Sequence, residues 1–385
     1  MKAAIIYNQL YDYAGVTMKI GGIETYLVNL AKLLSEMNYA VAIFQAAQCE
    51  FERRIEDISV IGVPVTGSSK RNVRTGLFKR ASGWIDGDND LIIFGADYFS
   101  VPTKNRNAIA IQHGVSWDLP TKYYSRRETL AAQILSRYRK VVSRYQAVRV
   151  FNNCLNRVCV DYNYVNWYRT ACLSEPKGRV WVIPNFVALP SGNAVELKSR
   201  ESVGAETKVL FARRFERIRG TRLMIDAVKE IGARYSNVAF TFAGEGEDEG
   251  LLRQELAGCR VNFIKYAASD SLAIHNCHDI AVVPSVGSEG TSLSVIEAMG
   301  SGCAVIATSV GGITNLIIDN FNGILVEPDS KALIRGLDTL IQDRELRLRL
   351  GRNAYTAACQ SLTLENWKKR WKTVIREVSG SAVGS

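Results

Sequence analysis

The sequence predicts an α/β protein of two doubly wound, parallel-sheet domains, and three observations carry that reading. Short β-rich runs alternate with amphipathic helical patterns along most of the 385 residues. Those runs are apolar throughout, as strands covered on both faces are. The series breaks once near its middle, and the chain is longer than one hydrophobic core ordinarily serves.

The first series places strands at 3–7, 41–44, 91–95, 108–111, 147–151 and 180–183. The second places them at 209–212, 239–243, 261–264, 280–283, 304–307 and 323–326. Helical periodicity fills the intervals, most clearly over 23–34 and 223–231. The break falls at Val182-Ile183-Pro184-Asn185-Phe186, followed by a polar, Gly/Ser-containing stretch to about residue 207. This divides the chain into an N-terminal domain, 1–186, and a C-terminal domain, 187–361. A last helix, from about 362 to 385, carries Trp367 and Trp371 four residues apart on one face. Both rings must bury, and packing back onto the N-terminal domain satisfies them. No repeat of solenoid period is evident.

Hydrophobic content of 47% and charged content of 22% describe a folded domain protein and not a disordered one. No apolar stretch reaches membrane-spanning length. The opening Met1-Lys2-Ala3-Ala4-Ile5-Ile6-Tyr7 reads as a first strand, not a signal peptide. Eight cysteines are scattered without a C-x-x-C pair, which argues against a zinc or disulfide framework and for a reducing cytoplasm. The net charge of +10 favours an anionic partner. Its densest stretch is Lys122, Arg126, Arg127, Arg137, Arg139, Lys140, Arg144 and Arg149, opposed only by Glu128 and interleaved with Tyr and Leu residues. Such a segment is either a solvated helix face or a surface for an anionic membrane. Nucleic acid is not expected, since no recognised binding motif accompanies the charge.

The most informative segment is Ser288-Glu289-Gly290-Thr291-Ser292-Leu293-Ser294-Val295-Ile296-Glu297, after the apolar run ending at Pro284. It reads as strand, loop and helix, an arrangement that points the first helical N–H groups at the carboxyl edge of a sheet and forms an anion site. Thr291 or Ser292 is expected to cap the helix, and Gly290 lets a ligand approach the backbone. Eight residues at helical rise span about 12 Å, the distance from a sugar to a ribose across a diphosphate. The alternative is an ordinary amphipathic helix with Glu297 in solvent. Asp86-Gly87-Asp88-Asn89-Asp90 has the look of a metal-binding D-x-D, but a polar turn explains it better.

The order of these motifs resembles retaining glycosyltransferases of the GT-B fold, family 4, in which two Rossmann-like domains face each other across a cleft. Glu289 and Glu297 fall on that family's paired acidic motif, and Val182-Ile183-Pro184-Asn185 on its interdomain hinge. Gly21-Gly22 occupies its first glycine loop, where the backbone meets the donor diphosphate. In Phe211-Ala212-Arg213-Arg214-Phe215-Glu216-Arg217-Ile218-Arg219-Gly220, the resemblance assigns Arg214 and Arg219 to the diphosphate, with Arg213 in place of a usual glycine. Gly244, in Gly244-Glu245-Gly246, matches a further glycine loop, and Lys265-Tyr266 stands near the nucleobase. His113, in Gln112-His113-Gly114, matches the histidine near donor sugar and acceptor. His275 and His278 receive no chemistry.

The resemblance implies sugar transfer from a nucleotide diphosphate donor to a glycan or lipid-linked glycan, with retention, in bacterial surface polysaccharide assembly such as O-antigen, capsule or exopolysaccharide. Glu289, His113, Arg214 and Arg219 would be catalytic. Gly21, Gly22, Gly244, Lys265, Tyr266, Gly290, Thr291, Ser292, Leu293 and Glu297 would bind the donor. Neither metal nor cofactor is expected, and the location would be cytoplasmic or peripheral on the inner membrane face. Two other functions share the architecture: a nucleotide-sugar 2-epimerase, and a non-catalytic nucleotide-sugar binding protein.

Overall fold

The structure, a computed structural model, describes residues 1–19, 21–65, 69–115, 130–189, 206–287 and 289–380, with the backbone alone at 130–133 and 268. Its contacts group into two units: 1–113, 134–183 and 368–385 form the first, and 114–133 with 184–367 form the second. This partition falls three residues before the 186/187 join read from the sequence and assigns the C-terminal return from residue 368.

The first unit begins with β1 (Lys2–Ile6), whose Ala3, Ala4, Ile5 and Ile6 have no exposed surface. Helix α1 (Gly22–Glu36) follows and buries Leu27, Leu30, Ala31 and Leu34, the spacing of one helical face. Next come β2 (Ala40–Ala47), the hairpin β3 (Phe51–Ile55) and β4 (Ile58–Pro64), and α2 (Lys70–Ser82). Strands β5 (Leu91–Phe94) and β6 (Ala108–Gln112) are fully buried runs. Helix α3 (Leu130–Phe151), β7 (Asn156–Cys159), α4 (Tyr162–Cys172) and β8 (Arg179–Val182) complete the unit's continuous part. The strands order as β3-β4-β2-β1-β5-β6-β7-β8, parallel except for the β3–β4 pair.

Two readings of this unit need correction. Residues 147–151, expected as a strand, are the last turn and a half of α3. Their Val-Arg-Val-Phe alternation looks β-like, but they continue a helix already begun. Phe151 buries as its end, and the Ala147 carbonyl accepts from Tyr164 Oη at 3.1 Å. The strand lies instead at β7, hidden in sequence by two polar residues whose partners come from elsewhere in the fold. Asn156 Nδ2 donates to the carbonyls of Arg106 and Ala108, and the buried Arg157 guanidinium stacks on Phe151 at 4.7 Å. The β3–β4 hairpin is absent from the strands that the sequence predicts. β3 is an edge strand with three exposed charged residues, Glu52, Arg53 and Arg54, so no apolar run marks it.

The second unit runs β9 (Thr207–Ala212), α5 (Thr221–Arg234), β10 (Val238–Ala243), α6 (Glu249–Glu255), β11 (Val261–Ile264), α7 (Ser271–Asn276), β12 (Ile280–Val283), α8 (Leu293–Gly300), β13 (Ala304–Thr308), β14 (Ile324–Val326), α9 (Ser330–Gln342) and α10 (Arg344–Ser361). Its strands order as β11-β10-β9-β12-β13-β14, all parallel. Phe211, Phe215, Phe242 and Phe263 form an aromatic core beneath α5. Asp329 and Asp343 cap α9 and α10 by accepting from the amides of Ala332 and Leu346. Helix α11 (Leu364–Ser379) ends the described chain. Within the second unit Trp367 packs on Phe186 at 4.7 Å, and within the first Trp371 Nε1 donates to Tyr26 Oη at 2.8 Å.

Candidate active site

In the second unit the chemistry-bearing residues gather where the parallel strands end, the edge at which doubly wound sheets bind ligands. Arg213 is the first residue beyond β9, and Ser285 lies just beyond β12. Two glycines hold this edge in shape. At Gly220 the backbone is left-handed (φ +87°), and a Cβ would lie 1.9 Å from the Pro284 carbonyl. Only glycine lets the 213–220 loop press against the β12 loop this closely, and the Val286 amide bonds the Ile218 carbonyl there at 3.0 Å. At Gly244 (φ +141°) a Cβ would strike the Arg213 carbonyl at 2.2 Å.

The centre of this edge is Glu289. Arg213 donates one guanidinium nitrogen to Ser285 Oγ at 2.8 Å and another to Glu289 Oε1. Arg219 Nη1 reaches the same oxygen at 2.7 Å, and Ser285 Oγ also donates to it. Burial opposes the Glu289 charge, but Arg213, Arg219 and the Ser285 and Ser292 hydroxyls outweigh it and hold the carboxyl well below the usual carboxylate range. Arg213 is buried, whereas Arg219 is half-buried and Arg214 has 60% of its side chain exposed. Arg214 pairs with Glu216 at 3.2 Å and makes no contact with Glu289 among the described residues. Three arginines face two carboxylates, Glu216 and Glu289, so this cluster carries one surplus positive charge.

Sequence reading picked Arg219 and Glu289, which the fold brings together, and Arg214, which the fold turns outward. It passed over Arg213 and Ser285. The available signal is the strand end, since the residue just past the last buried strand position sits at the ligand edge.

A second cluster surrounds Glu297, which lies inside α8 and is half-buried. Loss of water pushes its carboxyl up to about 7, opposed by a hydrogen bond from the Ser271 hydroxyl. Tyr266 packs against Leu210, Ala212 and Ala243, and burial together with the Glu297 charge pushes its phenol up to about 12. Lys265 pairs with Glu245 at 3.0 Å, both exposed. Neither expected hydroxyl caps α8. Ser292 stands at the N-cap position without a capping bond, and Thr291 Oγ1 instead accepts from the Asn185 amide at 3.0 Å. Glu289, Gly290 and Thr291 precede the helix, so the span between the two glutamates is part loop. Leu293 opens the helix, and Ser294 Oγ, one residue on, ties it to the Ala212 carbonyl at 3.0 Å.

In the first unit, Gly21 stands at the N-cap of α1 in extended backbone (φ −164°) and Gly22 begins the helix. Glu24, in the first turn, accepts from Tyr7 Oη at 2.9 Å. His113 directly follows β6; its Nε2 donates to the Gly95 carbonyl at 2.8 Å and its ring meets Tyr26 edge-on at 5.4 Å. Burial pulls the imidazole down to about 4, so it is neutral at pH 7. Asp90 closes the acidic turn by accepting from the amides of Lys2, Asp86 and Gly87. Among the described residues no cluster of His, Cys, Asp and Glu has the arrangement of a metal site, and no helix is long and apolar enough to cross a membrane.

Comparison with solved structures decides the architecture. Sucrose-phosphate synthase from Thermosynechococcus elongatus superposes with a TM-score of 0.75 at 18% identity, covering 99% of this chain and all of that one. The fold is GT-B, and the chain resembles the group 1 glycosyltransferases. Residues 206–343 match the family described as Glycosyl transferases group 1, which takes in the Arg213, Glu289 and Glu297 segments. Phosphatidyl-myo-inositol mannosyltransferase of Mycolicibacterium smegmatis is 23% identical, over 85% of this chain and 83% of its own length. The Anabaena protein HepE, solved in complex with UDP-glucose, gives a TM-score of 0.69 at 19% identity, covering 99% of this chain and all of HepE. These matches support a glycosyltransferase. The group 1 segment is the part of the chain in which Glu289 and the arginine loop meet.

Proposed function

We propose that this protein transfers a sugar from a nucleotide diphosphate donor to a hydroxyl of a glycan or lipid-diphosphate-linked glycan, with retention at the anomeric carbon and without a metal or cofactor. The observation that carries this reading is the convergence of Arg213 and Arg219 on Glu289 at the strand edge. In the reaction the bond between the sugar and the β-phosphate breaks, and charge grows on the departing phosphate oxygen. Arg219, half-buried and held by Glu289 at 2.7 Å, faces that phosphate, while Arg213 holds the carboxylate and the phosphate in one field. Fixed cations aimed at developing charge are the largest contribution an enzyme makes to such a step. The acceptor oxygen attacks from the face the diphosphate leaves, and its proton passes to the leaving phosphate oxygen.

Glu289, kept ionised, receives the donor sugar's hydroxyls, and Glu297 receives those of the ribose. Gly290, Thr291, Ser292 and Leu293 carry the phosphates on backbone amides, and Lys265 with Tyr266 and Gly244 borders the base. Within the first unit, Gly21 and Gly22 remain candidates for donor binding and His113 a candidate neutral hydrogen-bonding group. Arg214 adds positive field at longer range. The HepE complex with UDP-glucose supports the donor class, and the mannosyltransferase likeness supports a lipid-linked acceptor. We place the activity in the cytoplasm, in surface polysaccharide assembly.

The test is a panel of nucleotide sugars read by thermal shift and by nucleoside diphosphate release, with EDTA present throughout. One donor class should raise the melting temperature and release its diphosphate faster when acceptor is added. Failure of every donor to bind, or a strict requirement for divalent metal, overturns the proposal.

A further inference from the structure

From residue 368 onward α11 belongs to the first unit. It is tied there to α1, and one tie leads to His113. Lys368 Nζ pairs with Glu36 Oε1, on the last residue of α1, at 2.7 Å. Toward the other end of α1, Trp371 Nε1 donates to Tyr26 Oη at 2.8 Å, and the two rings meet edge-on at 6.3 Å. Both side chains are buried. Tyr26 in turn meets the His113 ring edge-on, at 5.4 Å and 88°. A buried phenol ring thus stands between the indole and the imidazole.

His113 is held on another side by Gly95. A carbonyl only accepts, so the imidazole proton sits on Nε2 and Nδ1 keeps its lone pair. One hydrogen bond leaves a ring free to tilt about it, and a second ring set at right angles removes that freedom. Gly95 itself lies against α1: a Cβ there would come within 2.7 Å of Leu27 Cδ1, the side chain next to Tyr26. Both contacts that orient His113 are therefore referred to α1, and α11 fixes α1 at Tyr26. Side chains that act in a site need supporting groups of this kind, because a displacement of about 1 Å is enough to lower a rate severely.

We propose that Tyr26 and Trp371 are positioning residues for His113. Through the Trp371 N–H bond and the Tyr26 ring, the C-terminal helix holds the imidazole in one orientation, with Nδ1 left to accept from a substrate hydroxyl. The inference rests on the reading of His113 as a group that meets substrate in sugar transfer. The basic stretch read from the sequence plays no part in it; its Lys122, Arg126 and Arg127 lie outside the described residues.

Trp371→Phe keeps an aromatic ring and removes the N–H, and Tyr26→Phe keeps the ring beside His113 and removes the hydroxyl. Each should lower kcat by about fivefold, the factor one buried hydrogen bond carries. The two together should lower it no further, since both remove the same bond. In a His113→Ala chain neither should lower kcat again, whereas general loosening of the fold would act in both backgrounds. Nitrogen-15 spectra of the histidines, taken without donor or acceptor, give a second reading. The chain has three histidines, and His113→Ala identifies the signal. Wild type should show the Nε2–H form alone, and Trp371→Phe a mixture with the Nδ1–H form. The proposal is overturned if Trp371→Phe leaves the His113 signals unchanged, or if either substitution lowers kcat as much in the His113→Ala chain as in wild type. Absence of transfer from every donor would overturn the proposed function and the role of His113 with it, while the spectra would still report the hold of Trp371 and Tyr26 on the ring.

Discussion

A buried carboxylate stays ionised only where cations and donors surround it, and Glu289 has two arginines and two hydroxyls doing so. This makes Arg213 the residue on which the proposed reaction is best tested. Arg213→Ala should lower turnover by about 10²–10³-fold and cost about 3–5 kcal/mol of stability, as removal of one partner from a buried pair does. Arg213→Lys should recover much of the stability and little of the rate, because an ammonium lacks the planar fork. Arg214→Ala, made in parallel, should alter both far less; steady-state kinetics and urea titration compare the three. Glu297 gives a pH signature. Its folded carboxyl holds its proton to about 7, while the unfolded one ionises near 4.5, so the native state binds more protons between those values. Stability therefore falls as pH rises through that window and stays reduced above it. Glu297→Gln should gain on the order of 2–3 kcal/mol above pH 7 and nothing near pH 4, measured by urea melts at both values. The acidic pair was legible at this scale because a fixed spacing marks it. Arg213 was not, since adjacent arginines differ only in which one the strand end points inward.

At the scale of the element, the site depends on how loops are clamped. Gly220 belongs to no catalytic group, yet its contact with the Pro284 carbonyl sets where Arg219 starts. Gly220→Ala should cost at least about 2 kcal/mol, from left-handed strain and displaced backbone together, and should lower turnover although no ligand group is removed. Differential scanning calorimetry beside the kinetic assay checks both. Strands made of uninterrupted apolar residues, such as β1, β5 and β13, could be read directly from sequence. β7 could not, because Asn156 and Arg157 find their partners in tertiary structure alone. The end of α3 misled for the opposite reason: its local pattern favours a strand, and the preceding helix overrides it. The α8 hydroxyls show the same limit. Ser292 and Thr291 were expected to serve the helix end, but their oxygens are engaged by Glu289 and Asn185 instead.

At the scale of the whole molecule, the division into two sheet-centred units follows from length, alternation and a single break. What composition left open was which surplus charges serve the site and which serve the surface. The surplus at the strand edge is one unit among Arg213, Arg214, Arg219, Glu216 and Glu289, while α3 carries its arginines without acids. Both features were part of one undivided +10 in the sequence. The central claim is that the strand-edge arginines hold a diphosphate. Its most direct test is calorimetric titration of the nucleoside diphosphate chosen by the thermal-shift panel, and of its monophosphate, into wild type and Arg213→Gln. The account predicts that the substitution weakens the diphosphate by roughly tenfold or more and leaves the monophosphate nearly unchanged. Equal affinities for the diphosphate in the two chains would contradict it.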